Sequence, residues 1–308
     1  MSGCIVGLMK VRNEDWILGL SARAALRVCD KLVVLDHGST DRTFEILAEV
    51  GAEHRNRVKV MPWHDPVFAE MAMYEHMLGL GREWGGTHFY LVDADEVLAA
   101  HMADVVRNTV LSLIPREYLE VPFLSMTGVD VAITDPGTVW RDNLLPLAWG
   151  DEPRIAFRPL EDGYDWHRRL PSGCIYPRRP WITMNQGGVL HYAWADWRRI
   201  TIKAVWYKMT EVVRWPGRAP VAELNKRYDR PLQRRVEQSK IPGEWVDYAG
   251  WRKHVRIGGD PWQLRDIADM IARYGWDRFE GITWHGVDRM VMGVVNDLHR
   301  ANTSKVKA

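Results

Sequence analysis

One short stretch, a buried strand that runs directly into three carboxylates, constrains this chain more than any other part of its sequence. Residues 88–96 read HFYLVDADE, in which five residues of mainly apolar or aromatic character are followed by Asp93, Asp95 and Glu96. The apolar run alternates little and follows a pair of glycines, which is typical of a strand buried in a parallel sheet. Because ligands of open α/β sheets bind outside the carboxyl ends of the strands, we expect the three carboxylates to line a binding site.

The crowding of these carboxylates has two interpretations. Negative charges this close repel one another unless a cation lies among them, and a hard divalent ion that also binds a diphosphate would suit such oxygen ligands. Taken alone, the residues are equally compatible with a solvated acidic turn that ends a strand.

Strand and helix patterns alternate along the first hundred residues. The predicted strands and helices are, in chain order, Cys4–Met9, Trp16–Val28, Lys31–Asp36, Thr43 to about Gly51, Arg57–Met61, Phe68–Leu80 and Phe89–Val92. Asp15 is predicted to cap the first of these helices. The order βαβαβαβ predicts a parallel sheet with right-handed crossovers.

The pattern loosens after residue 101. We predict helices at Met102–Leu113, Trp194–Val213, Trp262–Tyr274 and Val287–His299, and short strands at Tyr118–Phe123, Ile155–Arg158 and Val189–Tyr192. The segment Val139–Pro180 is rich in Pro, Gly, Trp, Arg and Asp, which is the composition of a binding loop. We therefore divide the chain into a catalytic region, 1–193, and a helical region, 194–308.

The net charge of +1 conceals two oppositely charged halves. Residues 1–140 carry 12 Lys/Arg against 20 Asp/Glu, a balance of −8, and the remainder carries 29 against 20, a balance of +9. Most of the 16 tryptophans also follow residue 140. The basic half suits phosphates of a substrate, a membrane surface or a nucleic acid, or it forms a solvated face whose charges are balanced locally.

The cysteines and the apolar segments bear on the compartment. Cys4, Cys29 and Cys174 are scattered and form neither a CxxC pair nor a metal-ligand spacing, which favours a reducing, intracellular environment. No run of about 18 apolar residues is present, so no transmembrane segment is expected. The expected location is cytoplasmic.

Three short motifs follow predicted strands: Asn13-Glu14, the turn Asp36–Thr43, which is close to D-x-G-S-x-D-x-T, and Val92–Glu96, which contains D-x-D. Together and in this order, they resemble the motifs of family 2 glycosyltransferases of the GT-A fold. The resemblance covers about residues 3–125. It implies an α/β protein with a Rossmann-like, mostly parallel sheet flanked by helices, followed by a helical, Trp-rich C-terminal region on the acceptor or interaction side.

The resemblance also implies roles for individual residues. Asp95 would be the main ligand of Mn²⁺ or Mg²⁺, helped by Asp93 and His191, with Glu96 behind them. Asp36 would accept hydrogen bonds from the nucleotide base, and Asp41 would cap the second helix. The implied nucleotide-binding residues are Lys10, Arg12, Asn13, Glu14, Asp36 and Asp93.

The implied reaction is metal-dependent, inverting transfer of a hexosyl or pentosyl group. The donor would be a nucleoside diphosphate sugar, with UDP favoured, and the acceptor a hydroxyl of a glycan, a small molecule or modified DNA. Inversion needs a general base, for which the middle of the chain offers Asp165, Asp162 and Asp151; Asp165 is favoured because Tyr164 and Trp166 flank it. Other possible bases are Glu152, Glu161 and His167. The helix before the D-x-D strand lacks the family's arginine, so Arg154, Arg158, Arg168 or Arg169 would contact the diphosphate.

Two other functions stay open at this point. A sugar nucleotidyltransferase could share the sheet, but such enzymes usually carry a Gly-rich loop after the first strand, and residues 10–14 contain no glycine. A nucleic-acid-binding protein would use the basic stretch between Arg198 and Arg235, where Trp197, Trp206, Tyr207 and Trp215 offer stacking surfaces. A glycosyltransferase that acts on modified DNA would combine both ideas.

Overall fold

A computed structural model describes residues 3–65, 67–134, 143–166, 169–179, 186–232, 237–259 and 261–295. It divides the chain into two units, Met1–Ala195 with Glu237–Ile257, and Asp196–Val236 with Gly258–Ala308. The predicted division after residue 193 lies two residues from the first boundary. The return of 237–257 to the first unit was not predicted; it occurs because Trp245, Val246 and Tyr248 bury their side chains in that unit's core.

The first unit begins with strands and helices in strict alternation, which confirms the predicted βαβαβαβ order. These elements are β1 (Ile5–Val11), α1 (Leu18–Val28), β2 (Lys31–Asp36), α2 (Thr43–Glu53), β3 (Val58–Pro62), α3 (Glu70–Glu83) and β4 (His88–Leu91). The four strands pair in parallel in the order β3-β2-β1-β4. Strand β4 is buried along its whole length, as its continuous apolar run predicts.

The rest of the first unit extends the same sheet with shorter elements. They are β5 (Glu96–Leu98), α4 (Ala103–Leu111), β6 (Glu117–Ser125), β7 (Val131–Ile133), β8 (Asn143–Gly150), β9 (Tyr176–Arg178), β10 (Val189–His191) and β11 (Gln238–Lys240). The sheet continues from β4 as β8-β6-β10-β5, with β9 paired to β6, while β11 and β7 form a separate pair. Strand β8 is antiparallel to both of its neighbours, and β10 is parallel to β6. The resulting fold is a mostly parallel α/β sheet with an antiparallel insertion.

Apolar side chains cover both faces of this sheet. Along β1, Ile5 and Met9 belong to the core beneath α1 and α4, whereas Val6 and Leu8 belong to the core beneath α3. This alternation follows from the two-residue period of a strand. The sheet is therefore buried on both faces, and its carboxyl edge is the place where polar side chains can gather.

Three local predictions for the first unit are wrong. The composition of Val139–Pro180 predicted a loop, but Asn143–Gly150 forms β8, which pairs with both β4 and β6 in the middle of the sheet. Ile155–Arg158 forms no strand, because Ile155 and Phe157 pack into the core from a loop that makes only an isolated bridge at Ala156. Asp15 does not cap α1, since the helix begins at Leu18 and the preceding Ile17 makes no side-chain cap bond. Asp41 does accept a hydrogen bond from the N–H of Thr43, the first residue of α2, at 2.9 Å.

The second unit is helical. Its elements are α5 (Trp197–Arg214), α6 (Val221–Asp229), α7 (Gln263–Tyr274) and α8 (287–295). Helices α5, α7 and α8 confirm the predicted ones, except that 296–299 lie outside the described residues; α6 was not predicted. Asp196 caps α5 by accepting the N–H groups of Arg198 and Arg199. Within the described ranges, none of the helices combines the length and the apolar character needed to cross a membrane.

We expect Gly150→Ala to lower the free energy of unfolding by about 1–3 kcal/mol, because the strand end leaves no room for a side chain. A Cβ at Gly150 would collide with the backbone carbonyl of Ile114, and backbone cannot swing away. Gly79→Ala in α3 is the matched control: a Cβ there meets nothing within 4 Å, so the change should stabilise the protein by about 0.5–1 kcal/mol. Urea unfolding of both variants measures the difference; similar changes in the two would contradict the assigned contact between Gly150 and Ile114.

Candidate functional site

Three neighbouring strands of the parallel region end where the predicted site residues begin. Strand β1 lies between β2 and β4, with Val11 opposite Asp36 and Leu8 opposite Leu91. The chain builds the sheet outward from β1 through β2 to β3 and then returns to the other side of β1 with β4. This is the switch point at which α/β sheets open a crevice for ligands.

At the end of β2, the Asp36 carboxylate is oriented by a tight turn. Its Oδ1 accepts the Ser39 hydroxyl at 2.5 Å, and both of its oxygens lie 3.3 Å from the Ser39 backbone nitrogen. Gly38 permits the turn by adopting a φ of 68°. The half-buried carboxylate therefore has a defined direction at the sheet edge.

The loops after β1 and β2 are joined by hydrogen bonds between side chains and backbone. The Asn13 side-chain oxygen accepts the N–H groups of Thr40 and Asp41 at 2.6 and 3.2 Å, and the Asn13 N–H donates to Ser39 Oγ at 2.9 Å. The Glu14 N–H donates to the Thr43 hydroxyl at 2.9 Å. Asn13 and Glu14, both predicted to bind nucleotide, thus form hydrogen bonds that connect the two loops. Arg12 lies half-buried beside them.

Lys10 lies near the end of β1 within a ring of acceptors. Its ammonium group is 2.6 Å from Asp93 Oδ1 and 3.1 Å from Glu70 Oε1, and it donates to the Tyr74 hydroxyl. Burial lowers the Lys10 pKa, but Asp93, Tyr74 and Glu70 outweigh that effect, so this pKa stays well above its ordinary value. Lys10 is therefore a fixed positive charge beside Asp93. Glu70 and Tyr74 were missed by the sequence analysis, although their four-residue spacing places both on one face of α3.

Arg169 supplies a second positive charge, on a side chain that is 15% exposed. It binds both oxygens of Glu96 at 2.7 and 2.9 Å and lies 3.4 Å from Asp93 Oδ2. Glu96 is only 2% exposed, and burial raises its pKa, an effect that the Arg169 charge opposes. Glu96 also accepts the Asp93 N–H at 3.0 Å. Of the four arginines suggested for a diphosphate, Arg169 is thus the one held next to Asp93 and Glu96, while Arg168 lies outside the described residues.

Asp95 and His191 come together although they are 96 positions apart in the chain. His191 ends β10 opposite Glu96 of β5, and its Nε2 lies 3.8 Å from Asp95 Oδ1. The Tyr192 N–H donates to the Asp95 carbonyl at 2.8 Å and holds the two segments together. Across the described part of the chain, no group of three or more His, Cys, Asp or Glu residues is arranged to hold a metal ion. The structure therefore brings together two of the three predicted ligands, while Asp93 contacts the cations.

The three carboxylates predicted as a general base lie in different surroundings. Both carboxylate oxygens of Asp151 accept hydrogen bonds from Arg82. The Asp151 backbone N–H donates to the carbonyl of Thr87, which precedes β4, so Asp151 lies at the edge of the sheet opposite the carboxyl edge. Asp162 is exposed and accepts the Tyr164 N–H at 3.0 Å.

Asp165 is the buried member of the three, at 6% exposure. Its neighbour Trp166 packs edge-on to Phe68, and Phe68 contacts the ring of His37. His37 directly follows Asp36, so these ring contacts connect the Asp165 loop with the turn at the end of β2. His167, the other possible base, lies outside the described residues.

Comparisons with known proteins give only remote similarities. No protein-family model matches the chain, and no curated protein matches it. Among solved structures, S. aureus TarS 1-349 in complex with UDP-GlcNAc is 17% identical at a TM-score of 0.30, over 41% of this chain and 35% of that one. TarS 1-349 alone matches over 98% and 92% of the two chains at 11% identity and a TM-score of 0.38. A 4-diphosphocytidyl-2C-methyl-D-erythritol synthase from Anaerococcus prevotii matches at 10% identity and a TM-score of 0.31, over 48% and 70% of the two chains. At TM-scores this low the likeness carries no functional argument, and the proposed function rests on the site itself.

We expect Glu96→Gln to lower the free energy of unfolding by about 3–5 kcal/mol, because it leaves the Arg169 cation, whose side chain is only 15% exposed, without its main partner. Glu120→Gln is the matched control, since Glu120 pairs with Arg179, whose side chain is 70% exposed, and such pairs contribute only about 0–1 kcal/mol. Urea unfolding near neutral pH measures both changes. Equal losses for Glu96→Gln and Glu120→Gln would contradict the central role of the Arg169–Glu96 pair.

Proposed function

We propose that the protein is a glycosyltransferase that moves a sugar from a nucleoside diphosphate sugar, with UDP favoured, to a hydroxyl acceptor. The observation that carries the proposal is the order of groups along the carboxyl edge: Asp36 ends β2, Lys10 lies in β1, Asp93 follows β4, and Asp95 lies beside His191. The Asp36 carboxylate thus lies on one side of Lys10, and the pair formed by Asp95 and His191 lies on the other. Neighbouring strands are about 5 Å apart, so the edge is long enough for a nucleoside and its diphosphate.

The β2 side suits a nucleobase. Asp36 is a fixed acceptor, and uracil presents a ring N–H between two carbonyl oxygens, so a charge-assisted hydrogen bond can form. His37 and Phe68 supply flat side chains near the same turn. The preference for UDP follows from this acceptor.

The β4 side suits a divalent cation. Asp93, Asp95, Glu96 and Glu70 carry four negative charges, whereas Lys10 and Arg169 carry two positive charges, so these six groups sum to −2. The oxygen and nitrogen donors of Asp95 and His191 fit Mn²⁺ or Mg²⁺. Bound there, such an ion would neutralise charge on the leaving diphosphate. Lys10 and Arg169 hold Asp93 in place beside that position.

We assign the general base to Asp165. It is the buried carboxylate of the three candidates. As the base, Asp165 would take the proton of the acceptor hydroxyl as the new glycosidic bond forms and the nucleoside diphosphate leaves, with inversion at the anomeric carbon. Asp151 is committed to its ion pair with Arg82.

A nucleic-acid partner is a second candidate, favoured by the charge of the helical unit. Its two segments contain 18 Lys/Arg and 11 Asp/Glu, a balance of +7. Affinity for single-stranded DNA that falls at least tenfold between 50 and 200 mM salt would support a phosphate-binding surface, because several released counterions give such a slope. Weak binding without salt dependence would remove this candidate.

We expect UDP release from UDP-sugars to require Mn²⁺ or Mg²⁺, and Asp95→Asn and His191→Ala to raise the half-saturating Mn²⁺ concentration by at least about tenfold. His54→Ala is the matched histidine control, because His54 follows the far end of α2. Release of UDP is followed across a panel of UDP-sugars with increasing Mn²⁺, and melting temperatures confirm folding. An unchanged Mn²⁺ requirement in both site variants would contradict the metal assignment.

The three candidate bases can be separated by one substitution each. Asp165→Asn should lower the turnover number by about 10²–10⁴ while UDP affinity stays within twofold, because a general base acts on the acceptor proton. Asp162→Asn should have little effect, and Asp151→Asn should mainly lower stability, since Arg82 loses its partner. Steady-state UDP release and UDP titration measure the two quantities. Near-wild-type turnover in Asp165→Asn would remove it from the mechanism.

A further inference from the structure

Two hydrogen bonds fix the Ser39 hydroxyl between the loops that follow β1 and β2. The hydroxyl donates its single proton to Asp36 Oδ1 at 2.5 Å and accepts the Asn13 N–H at 2.9 Å. A serine hydroxyl rotates freely unless both its donor and its acceptor roles are used. Here both are used, so the hydroxyl holds Asp36 in one orientation.

The anchor of this arrangement is Asn13. It adopts a left-handed φ of 54°, which asparagine tolerates better than most residues. Its side-chain oxygen accepts the N–H groups of Thr40 and Asp41, the two residues after Ser39. The backbone on either side of the Ser39 hydroxyl is therefore held from the β1 loop.

One Asp36 oxygen keeps most of its capacity to accept hydrogen bonds. Oδ1 receives the Ser39 hydroxyl, whereas Oδ2 accepts only the long 3.3 Å contact with the Ser39 N–H among the described residues. An ionised carboxylate offers about four acceptor positions. The Ser39 contacts thus leave Oδ2 with the capacity to accept a further hydrogen bond at the end of β2.

We propose that Ser39 is a positioning residue that sets the base specificity of the site, with Asn13 as its anchor. The proposal rests on the proposed function and deepens it. A fixed carboxylate oxygen accepts the ring N–H of uracil, whereas cytosine presents a lone pair at the same ring position and is repelled. A carboxylate free to rotate could instead follow the exocyclic amine of cytosine. Ser39 therefore turns a general acceptor into one that discriminates between uracil and cytosine.

The test compares binding of UDP, CDP and inorganic pyrophosphate by calorimetry in the presence of Mn²⁺. Wild-type protein should prefer UDP over CDP by at least about tenfold, the size of one good hydrogen bond to a charged group. Ser39→Ala should weaken UDP binding by about five- to tenfold and leave pyrophosphate binding unchanged. The ratio of the dissociation constants for CDP and UDP should fall close to one.

Conservative variants separate positioning from a general structural role. Ser39→Thr keeps the hydroxyl and should keep the preference for UDP, and Arg42→Ala, at an exposed position in the same turn, should match wild type. Asn13→Asp keeps the acceptor and should retain the preference. Asn13→Gly keeps the left-handed backbone but loses the acceptor, and should reproduce the selective loss seen with Ser39→Ala.

The outcomes that overturn the proposal are distinct from failure of the proposed function. If Ser39→Ala keeps the UDP preference, or weakens UDP, CDP and pyrophosphate alike, Ser39 does not set specificity, even if Asp36→Asn weakens UDP. If wild-type protein binds UDP and CDP equally, the proposal is also wrong. If wild-type protein binds neither UDP nor pyrophosphate, the proposed function itself fails.

Discussion

Two cations whose side chains are only 12% and 15% exposed hold the acidic edge of this sheet together. Lys10 contacts Asp93 Oδ1 and Arg169 contacts Asp93 Oδ2. Arg169 also neutralises Glu96, a side chain that is 2% exposed. Without them, like charges would be desolvated next to one another, which is among the costliest arrangements in a protein interior. The contacts join residues from β1, α3, the end of β4 and the loop before β9, so one electrostatic network fixes the relative positions of several elements at the candidate site.

This network separates two chemically different ends of the same edge. On the β2 side, the groups are held by hydrogen bonds among Asn13, Ser39 and Asp36, which favour a directional contact with a flat polar ring. On the β10 side, Asp95 and His191 form a close pair beside an excess of negative charge, which favours a cation. A nucleoside diphosphate has the same asymmetry, with a hydrogen-bonding ring at one end and a charged group that binds metals at the other. The match between the two asymmetries is the physical basis of the proposed function.

Local pattern was sufficient to predict the parallel half of the fold, because β1, β2 and β4 are continuous apolar runs that end in polar turns. The same reasoning predicted that Asp36 and Asp93 would share an edge. It did not reveal the pairing of Arg169 with Glu96 or of Lys10 with Glu70, since ion pairs between distant segments leave no periodic signal. The strand predicted at Ile155–Arg158 was wrong because a buried loop can be as apolar as a strand. The cap predicted at Asp15 was wrong because the Asp15 N–H donates to the Asp41 carboxylate in the neighbouring loop, and α1 begins only at Leu18.

The central claim is that a nucleoside diphosphate lies along the carboxyl edge with its base at β2 and its phosphates at Asp95 and His191. A crystal structure of the protein with UDP and Mn²⁺ tests this most directly, since anomalous scattering locates the manganese independently of the nucleotide. The account predicts the uracil ring N–H within hydrogen-bonding distance of Asp36 Oδ2, and the manganese about 2.0–2.3 Å from Asp95 and His191 while also bound to the diphosphate. A nucleotide bound elsewhere, or a uracil ring placed beside Asp95 with its phosphates at Asp36, would contradict it.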